Sequence, residues 1–293
     1  MNKQSIRELI EKAAGTFKKA GIDTPRLDAE VLLAEALKCD RAHLYGHPEE
    51  TIKKRDYERF KKFVARRRNR EPIAYITGKK EFWDRDFIIK PGVLIPRPDT
   101  ETLIESVIGI YKITEYPDGH PKIIEIGVGS GNIAVTLACE IPGSEIWGTD
   151  PSKIAINIAN KNAKKHEILD RVHFFRGDLF EPLSKNLPSH SFHFIVSNPP
   201  YIPSQRIQRL APEITKYEPL ESLDGGKDGL SVIRQIIKST PTFLRSGGHL
   251  VFEIDPVEVG PISKIAESLK DWHELQIKKD LAGKDRVIVL KRT

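Results

Sequence analysis

From Thr100 onward, short apolar runs alternate with stretches of helical period. The runs are "KIIEIG", "EIWGTD", "VHFFRGD", "FHFIVSN", "GHLVFEI", "LQIKKDL" and "RVIVLKR". Helical patterns fall near 100–112, 131–140, 152–164, 228–244 and 259–270. Strands separated by helices predict right-handed crossovers, a mostly parallel sheet and helices on both faces. The last two strands are joined only by "AGKD" and are expected to form an antiparallel hairpin at the sheet edge. Upstream the period is helical. "TPRLDAEVLLAEAL" places Pro25 at a helix start and Leu27, Val31, Leu32, Ala34 and Leu37 on one face. In "IKKRDYERFKKFVARRR" the stripe is Tyr57, Phe60, Phe63 and Val64, with charges opposite. Between these regions, "EPIAYITGKKEFWDRDFIIKPGVLIP" alternates aromatic and β-branched residues around Gly78 and Gly92, which predicts a β-hairpin linker. The expected domains are a helical unit over 1–70, a linker over 71–98 and an α/β domain over 99–293.

Composition narrows the class. No run of 18 apolar residues occurs. The start, "MNKQSIRELIEKAAGTFKKAG", is an amphipathic pattern without a signal-peptide core. Cys39 and Cys139 have no ligand spacing and are expected to be buried thiols in a reducing, cytoplasmic setting, with no metal. The net charge of +6 is uneven: residues 1–70 carry 18 Lys+Arg against 11 Asp+Glu, and the rest is nearly neutral. The excess lies mostly in Lys53–Arg70. It suits either a solvated helix face or an acidic partner such as nucleic acid.

"KIIEIGVGSGNIAVTLA" reads as strand, glycine turn, helix. Glycines there permit positive φ and close approach of a ligand to the backbone, and the helix N-terminus favours electron-rich groups. The spacing Gly127, Gly129, Gly131 is neither the dinucleotide pattern nor a P-loop. Asp150, at the end of the next strand, can accept both hydroxyls of a ribose, or serve simply to cap the helix after Pro151. Asp178 and Leu179, after the third strand, can flank an adenine. With Glu125 in the first strand and a terminal β-hairpin, these features point to S-adenosylmethionine; NAD is the rival.

"SNPPYIP" follows the fourth strand and so reaches the same edge. The Asn198 side-chain carbonyl and the Pro199 backbone carbonyl can accept the two hydrogens of a planar –NH2 group. Consecutive prolines fix the direction of that carbonyl. Tyr201 can stack on the group and exclude water. Both acceptors would stabilise positive charge growing on nitrogen as a methyl arrives. Exocyclic amino groups of bases and the side-chain amide of glutamine fit equally at this point.

Longer motifs add specificity. "RLDAEVLLAEAL", "REPIAYITGKKEFW", "VLIPRPDTETL", "EIGVGSGNIA", "TDPSKIAINIANKNA", "GDLFEPL", "VSNPPYIP", "EPLESLDGGKDGL" and "KDLAGKDRVIVLKR" together span almost the whole chain. The sequence resembles the protein-(glutamine-N5) methyltransferases that modify the Gly-Gly-Gln glutamine of peptide chain release factors. The resemblance implies a Rossmann-like class I methyltransferase sheet, a helical domain that docks the release factor, and S-adenosyl-L-methionine as donor, leaving S-adenosyl-L-homocysteine. Matched by motif, Glu125, Gly127, Val128, Gly129, Ser130, Gly131, Asp150, Asp178, Leu179 and Asn198 would contact the cofactor. Asn198, Pro199, Pro200 and Tyr201 would hold the glutamine, with Asn198, Pro199 and Tyr201 catalytic. Arg97, Pro98 and Glu101 would shape the pocket floor or cap the helix near Thr100; Gly225 and Gly226 suit a turn, and Asp228 an N-cap. The family pattern Glu-Ile-Gly-x-x-Gln is replaced by "EIDPVE", so Glu258 stands in the glutamine position. Base methylation and a non-catalytic cofactor-binding partner of translation are the competing functions. A monomer is expected, as no long apolar stripe is left over.

Overall fold

The computed structural model describes residues 4–116, 119–184 and 187–293. Residues 1–3 of the expected first helix, and 117–118 and 185–186 of the expected α/β domain, lie outside the described residues. The chain divides into two compact units, 1–79 with 211–217, and 80–210 with 218–293.

The first unit is helical: α1 (Ile6–Lys19), α2 (Pro25–Leu37), α3 (Arg41–Gly46), α4 (Lys54–Arg68) and α5 (Ile73–Thr77). Ser5 and Glu8 close a capping box at the start of α1. Phe17, Leu32, Leu33, Leu44 and Phe60 form the core, and the stripe Tyr57, Phe63 and Val64 packs against it. Leu27, expected on the apolar face of α2, is exposed. That helix instead buries Asp28 and Glu30, because each has cationic partners: Arg67 donates to Asp28 at 2.7 Å, and Arg26 and Arg41 donate to Glu30 at 3.0 Å. The basic stretch is thus partly internal. Arg67 and Arg70 also grip Glu213, at 3.0 and 2.7 Å. The basic side chains left exposed are Lys53, Lys54, Arg55, Lys61, Lys62 and Arg68.

The linker differs from expectation. Residues 73–77 form α5, which buries Ala74, Tyr75 and Ile76 and ends at left-handed Gly78. A short apolar run carries no decisive period, so tertiary burial chose helix over strand. Only β1 (Lys79–Phe82) and β2 (Arg85–Ile88) make the hairpin, turned by Trp83 and Asp84 at positive φ.

The second unit continues with α6 (Glu101–Ile113), β3 (Lys122–Ile126), α7 (Asn132–Glu140), β4 (Glu145–Asp150), α8 (Lys153–Lys165), β5 (Val172–Arg176), β6 (Phe192–Ser197) and α9 (Ser204–Ile207). Helix α10 (Pro212–Tyr217) belongs to the first unit; α11 (Ser231–Ser239), β7 (Leu244–Glu253), α12 (Val259–Glu267), β8 (Trp272–Lys279) and β9 (Asp285–Arg292) complete the second. The helix expected over 228–244 is shorter, because the chain turns through Thr240–Thr242 with Pro241 and enters β7 at Leu244. The seven strands lie in the order β5-β4-β3-β6-β7-β9-β8. All pairings from β5 to β7 are parallel, and β9 is antiparallel to both neighbours. The expected mostly parallel sheet with a terminal hairpin is therefore present. Its order reverses between β3 and β6, where Ile126 pairs with Ser197. Ligands of such sheets bind beyond the carboxyl ends of strands at this crevice. The glycine loop and the Asn-Pro-Pro-Tyr corner leave the sheet side by side there.

Candidate active site

A cavity of about 620 Å³ opens at the switch point. Its wall includes Glu125 and Gly127 to Ser130 after β3, Asp150 after β4, Asp178 and Leu179 after β5, and Asn198 to Pro200 after β6. Four separate strand ends thus bring most of the expected site residues together. The segment Gly92–Arg97 and Thr100 close another side.

The glycine loop is held by groups beneath it. Gly127 and Val128 donate backbone N–H groups to the Thr149 carbonyl at 2.9 and 3.0 Å. Gly131 begins α7 at φ +80°, and a Cβ there would stand 3.1 Å from Ala159. Glycine at that position cannot cap the helix with a side chain. Glu125 does so from β3, accepting from Ala134 N–H at 3.0 Å. Its second oxygen, Oε1, is buried without a partner, and burial pushes its carboxyl well above the ordinary range. Asn162, on α8, donates to the Ser130 carbonyl at 2.8 Å and brackets Ile88 of the hairpin.

Asp150 accepts from Gly129 N–H at 2.9 Å and from Ser152 N–H at 2.8 Å. Ser152, not Asp150, caps α8 through Ala155 N–H. Each carboxylate oxygen keeps a lone pair for a ligand. Leu179 sits at φ +43°, and its carbonyl accepts from the Thr149 hydroxyl at 2.6 Å. An unpartnered carboxyl oxygen, a bare glycine cradle and an acidic residue at the second strand end suit S-adenosylmethionine, which carries an ammonium, a ribose and an adenine.

At the corner, Asn198 donates through Nδ2 to Thr100 Oγ1 at 3.2 Å. Its oxygen is the amide atom left for a ligand. Pro199 and Pro200 line the cavity; the lining on this segment stops there, and the expected Tyr201 ring wall is not among it. Tyr201 is drawn away by Glu253, to which its hydroxyl donates at 2.9 Å. Burial raises the Tyr201 pKa, so it remains a phenol.

The residues whose roles were open also find places. Arg97 pairs with Glu218, which accepts from Ile95 N–H at 3.2 Å as well. This buried carboxylate shapes the loop bordering the cavity. Glu101 accepts from Trp83 N–H in the hairpin. Asp228 is not an N-cap: α11 starts at Ser231, and Asp228 pairs with Arg234 and accepts from Leu230 N–H. Gly229, at φ +83°, packs beneath the corner; a Cβ there would stand 2.5 Å from the Tyr201 carbonyl oxygen. Asp255 and Glu258 form a second capping box. Burial, with Asp255 and Asp228, lifts Glu258 to about 8 against a counter-pull from Arg206. A neutral carboxyl has nearly the outline of the glutamine it replaces.

Sequence reasoning missed Thr100, Asn162, Glu218, Gly229 and Glu253. Each lies in a motif already noted, but only the fold shows what it touches. Cys39 and Cys139 are free but only half-buried, because each sits near a helix end. Among the described residues, no helix is long and apolar enough to cross a membrane. The one group of three potential metal ligands among them is His43, His47 and Glu50, outside the cavity lining.

Comparison with known proteins identifies the family. Residues 8–78 match the PrmC N-terminal domain, and residues 113–216 match the methyltransferase small domain. The release factor glutamine methyltransferase of Geobacter sulfurreducens is 40% identical over 250 residues, 85% of this chain and 84% of that one. That of Clostridium botulinum is 38% identical over 283 residues, covering 97% and 98%. The solved hMettl16 catalytic domain superposes with a TM-score of 0.53 at 17% identity, over 71% of this chain and 74% of that chain, a likeness of fold alone. With both domains matched and such identity across nearly its whole length, the chain belongs to the release factor glutamine methyltransferase family.

Proposed function

We propose that this enzyme methylates the side-chain amide nitrogen of the glutamine in the Gly-Gly-Gln motif of peptide chain release factors, acting as a cytoplasmic monomer. The observation that carries the reading is the pairing of Ile126 with Ser197, which sets the glycine loop and the Asn198-Pro199 acceptors at one crevice. When bound, S-adenosylmethionine supplies an electrophilic methyl on sulfonium and leaves as S-adenosylhomocysteine. Glu125, Gly127, Val128, Gly129, Ser130, Gly131, Asp150, Asp178 and Leu179 would hold it.

Amide nitrogen is a weak nucleophile because its lone pair is delocalised. Asn198 Oδ1 and the Pro199 carbonyl would accept its two hydrogens and so orient its lone pair for attack on the methyl. The same acceptors become stronger as charge grows on nitrogen, which is differential stabilisation of the transition state. No base is needed if the proton leaves after methyl transfer. Tyr201 holds the corner through Glu253. The helical unit supplies protein specificity: exposed Lys53, Lys54, Lys61 and Lys62 suit an acidic partner surface, release factor or bound RNA.

The test is direct. The enzyme is incubated with labelled S-adenosylmethionine and either a release factor or nucleic acid, and the label is mapped. Label on the Gly-Gly-Gln glutamine is expected; label on a base amino group overturns the proposal.

A further inference from the structure

The Asn198 amide is useful only one way round. With its oxygen toward the substrate it accepts an amide hydrogen. With its –NH2 there, two donor groups meet and the site repels what it should bind. Asparagine is nearly symmetric in shape, so packing cannot choose between the two orientations; only a neighbour of defined hydrogen-bonding polarity can.

That neighbour is Thr100, and its polarity is imposed in turn. Glu253, at the end of β7, is 1% exposed. Its Oε2 accepts from Thr100 Oγ1 at 2.6 Å, and its Oε1 accepts from the Tyr201 hydroxyl at 2.9 Å. A carboxylate has no hydrogen to give. Thr100 therefore spends its single hydrogen on Glu253, and its oxygen can only accept from a third partner. That partner is Asn198 Nδ2, at 3.2 Å. Thr100 is itself 1% exposed, so water does not substitute for either contact.

We propose that Glu253 and Thr100 are positioning residues that fix the orientation of the Asn198 amide, through a one-way chain of hydrogen bonds running from Asn198 to Thr100 to Glu253. Glu253 holds Tyr201 with its other oxygen, so one buried carboxylate braces both ends of the Asn198–Tyr201 corner. The chain has a direction because both Glu253 oxygens accept from hydroxyls. Burial raises the Glu253 pKa, and the hydrogen bonds from Thr100 and Tyr201, with Arg286, pull it back towards the ionised form. The inference rests on the proposed role of Asn198 as acceptor of the substrate amide.

Three variants test it: Thr100→Val, Glu253→Gln and, as rescue, Thr100→Ser, with Asn198→Ala as reference. Valine keeps the shape of threonine and removes both hydrogen-bonding functions. Glutamine keeps the shape of glutamate but must turn its –NH2 towards either Thr100 or Tyr201, so it breaks one of the two bonds by which this side chain braces the corner. Thr100→Val and Glu253→Gln are expected to lower kcat roughly ten- to a hundredfold, with the release factor KM and S-adenosylmethionine Kd unchanged. Thr100→Ser restores most of the turnover. If Thr100→Val fails to fold, Glu253→Gln against Thr100→Ser carries the same comparison. Wild-type kcat in Thr100→Val, or in both Glu253→Gln and Thr100→Val, with Asn198→Ala inactive, overturns the chain alone. Full activity in Asn198→Ala overturns the underlying acceptor role instead.

Discussion

The glycine loop and the Asn-Pro-Pro-Tyr corner stand at the same crevice but are built by different means. The loop takes its shape mainly from its own backbone, steadied by carboxylates one or two elements away. Its ligand-facing groups are backbone, so side-chain orientation hardly enters. The corner presents one side-chain amide and one carbonyl, and the amide has two near-equivalent orientations. Its setting depends on Thr100, Glu253 and Gly229, which lie 28 to 98 residues away in the chain. The lesson is that cradling a cofactor can be local, whereas directing a reactive hydrogen bond needs support from across the fold. The loop should therefore govern binding and the corner turnover.

Asn198→Ala probes that division most severely. On the proposed mechanism it removes an acceptor whose interaction strengthens in the transition state, and comparable deletions cost on the order of 10²–10³ in kcat. Kd for S-adenosylmethionine should stay near wild type. Isothermal titration and single-turnover rates separate the two; a large Kd change with intact turnover would reverse the assignment of regions.

Gly229→Ala comes next and acts on the corner from below. The added Cβ meets the Tyr201 carbonyl oxygen at 2.5 Å and Glu258 Oε1 at 2.6 Å, at φ +83°. The clash with the Tyr201 carbonyl is relieved only by moving the corner, and the strain of a side chain at this φ adds to the cost. Expected are a stability loss of about 1–3 kcal/mol and a fall in kcat. Gly247→Ala is a control, since φ is +73° there but nothing lies within 4 Å. Equal effects on turnover from the two would remove Gly229 from the corner.

What the sequence disclosed follows the same line. Strand periodicity and the crossovers placed every strand of the sheet, and G-x-G-x-G with Asp150 located the loop, because those signals are local. The extent of the hairpin and of α11 was not legible, since burial settled them: α5 took residues expected in the linker, and Pro241 cut the helix short. The direction of Tyr201 was missed for a related reason. Nothing near it in sequence announces that Glu253 will draw its hydroxyl away from the cavity. The basic stretch suited a solvated face or an acidic partner, yet Arg67 and Arg70 find Glu213 more than 140 residues later.

Asp150→Ala tests the loop. It deprives Gly129 and Ser152 N–H of their acceptor and removes the proposed ribose contact. A rise in S-adenosylmethionine Kd of roughly tenfold is expected, the value of one or two charge-assisted hydrogen bonds. At saturating cofactor, kcat should recover most of its wild-type value. A kcat loss that saturation cannot repair would mean the loop also directs the chemistry.

The smallest effect belongs to Glu258, which buttresses the corner without touching the cavity lining. Its carboxyl is raised from 4.5 to about 8, chiefly by burial. The folded chain therefore holds this proton more tightly than the unfolded chain. The stability it confers is complete below the ordinary carboxyl range and is lost as pH rises through about 8. Glu258→Gln keeps the neutral shape at every pH and has nothing to lose. Melting curves of the two proteins should coincide near pH 4.5 and separate steadily towards pH 8, the variant being more stable by on the order of 1–2 kcal/mol. Turnover, which the proposed mechanism assigns to Asn198 and its supports, should change little across that range. Parallel melting curves would mean that Glu258 is ionised in the folded protein, and that the acidic residue at this position is not acting as a neutral stand-in for glutamine.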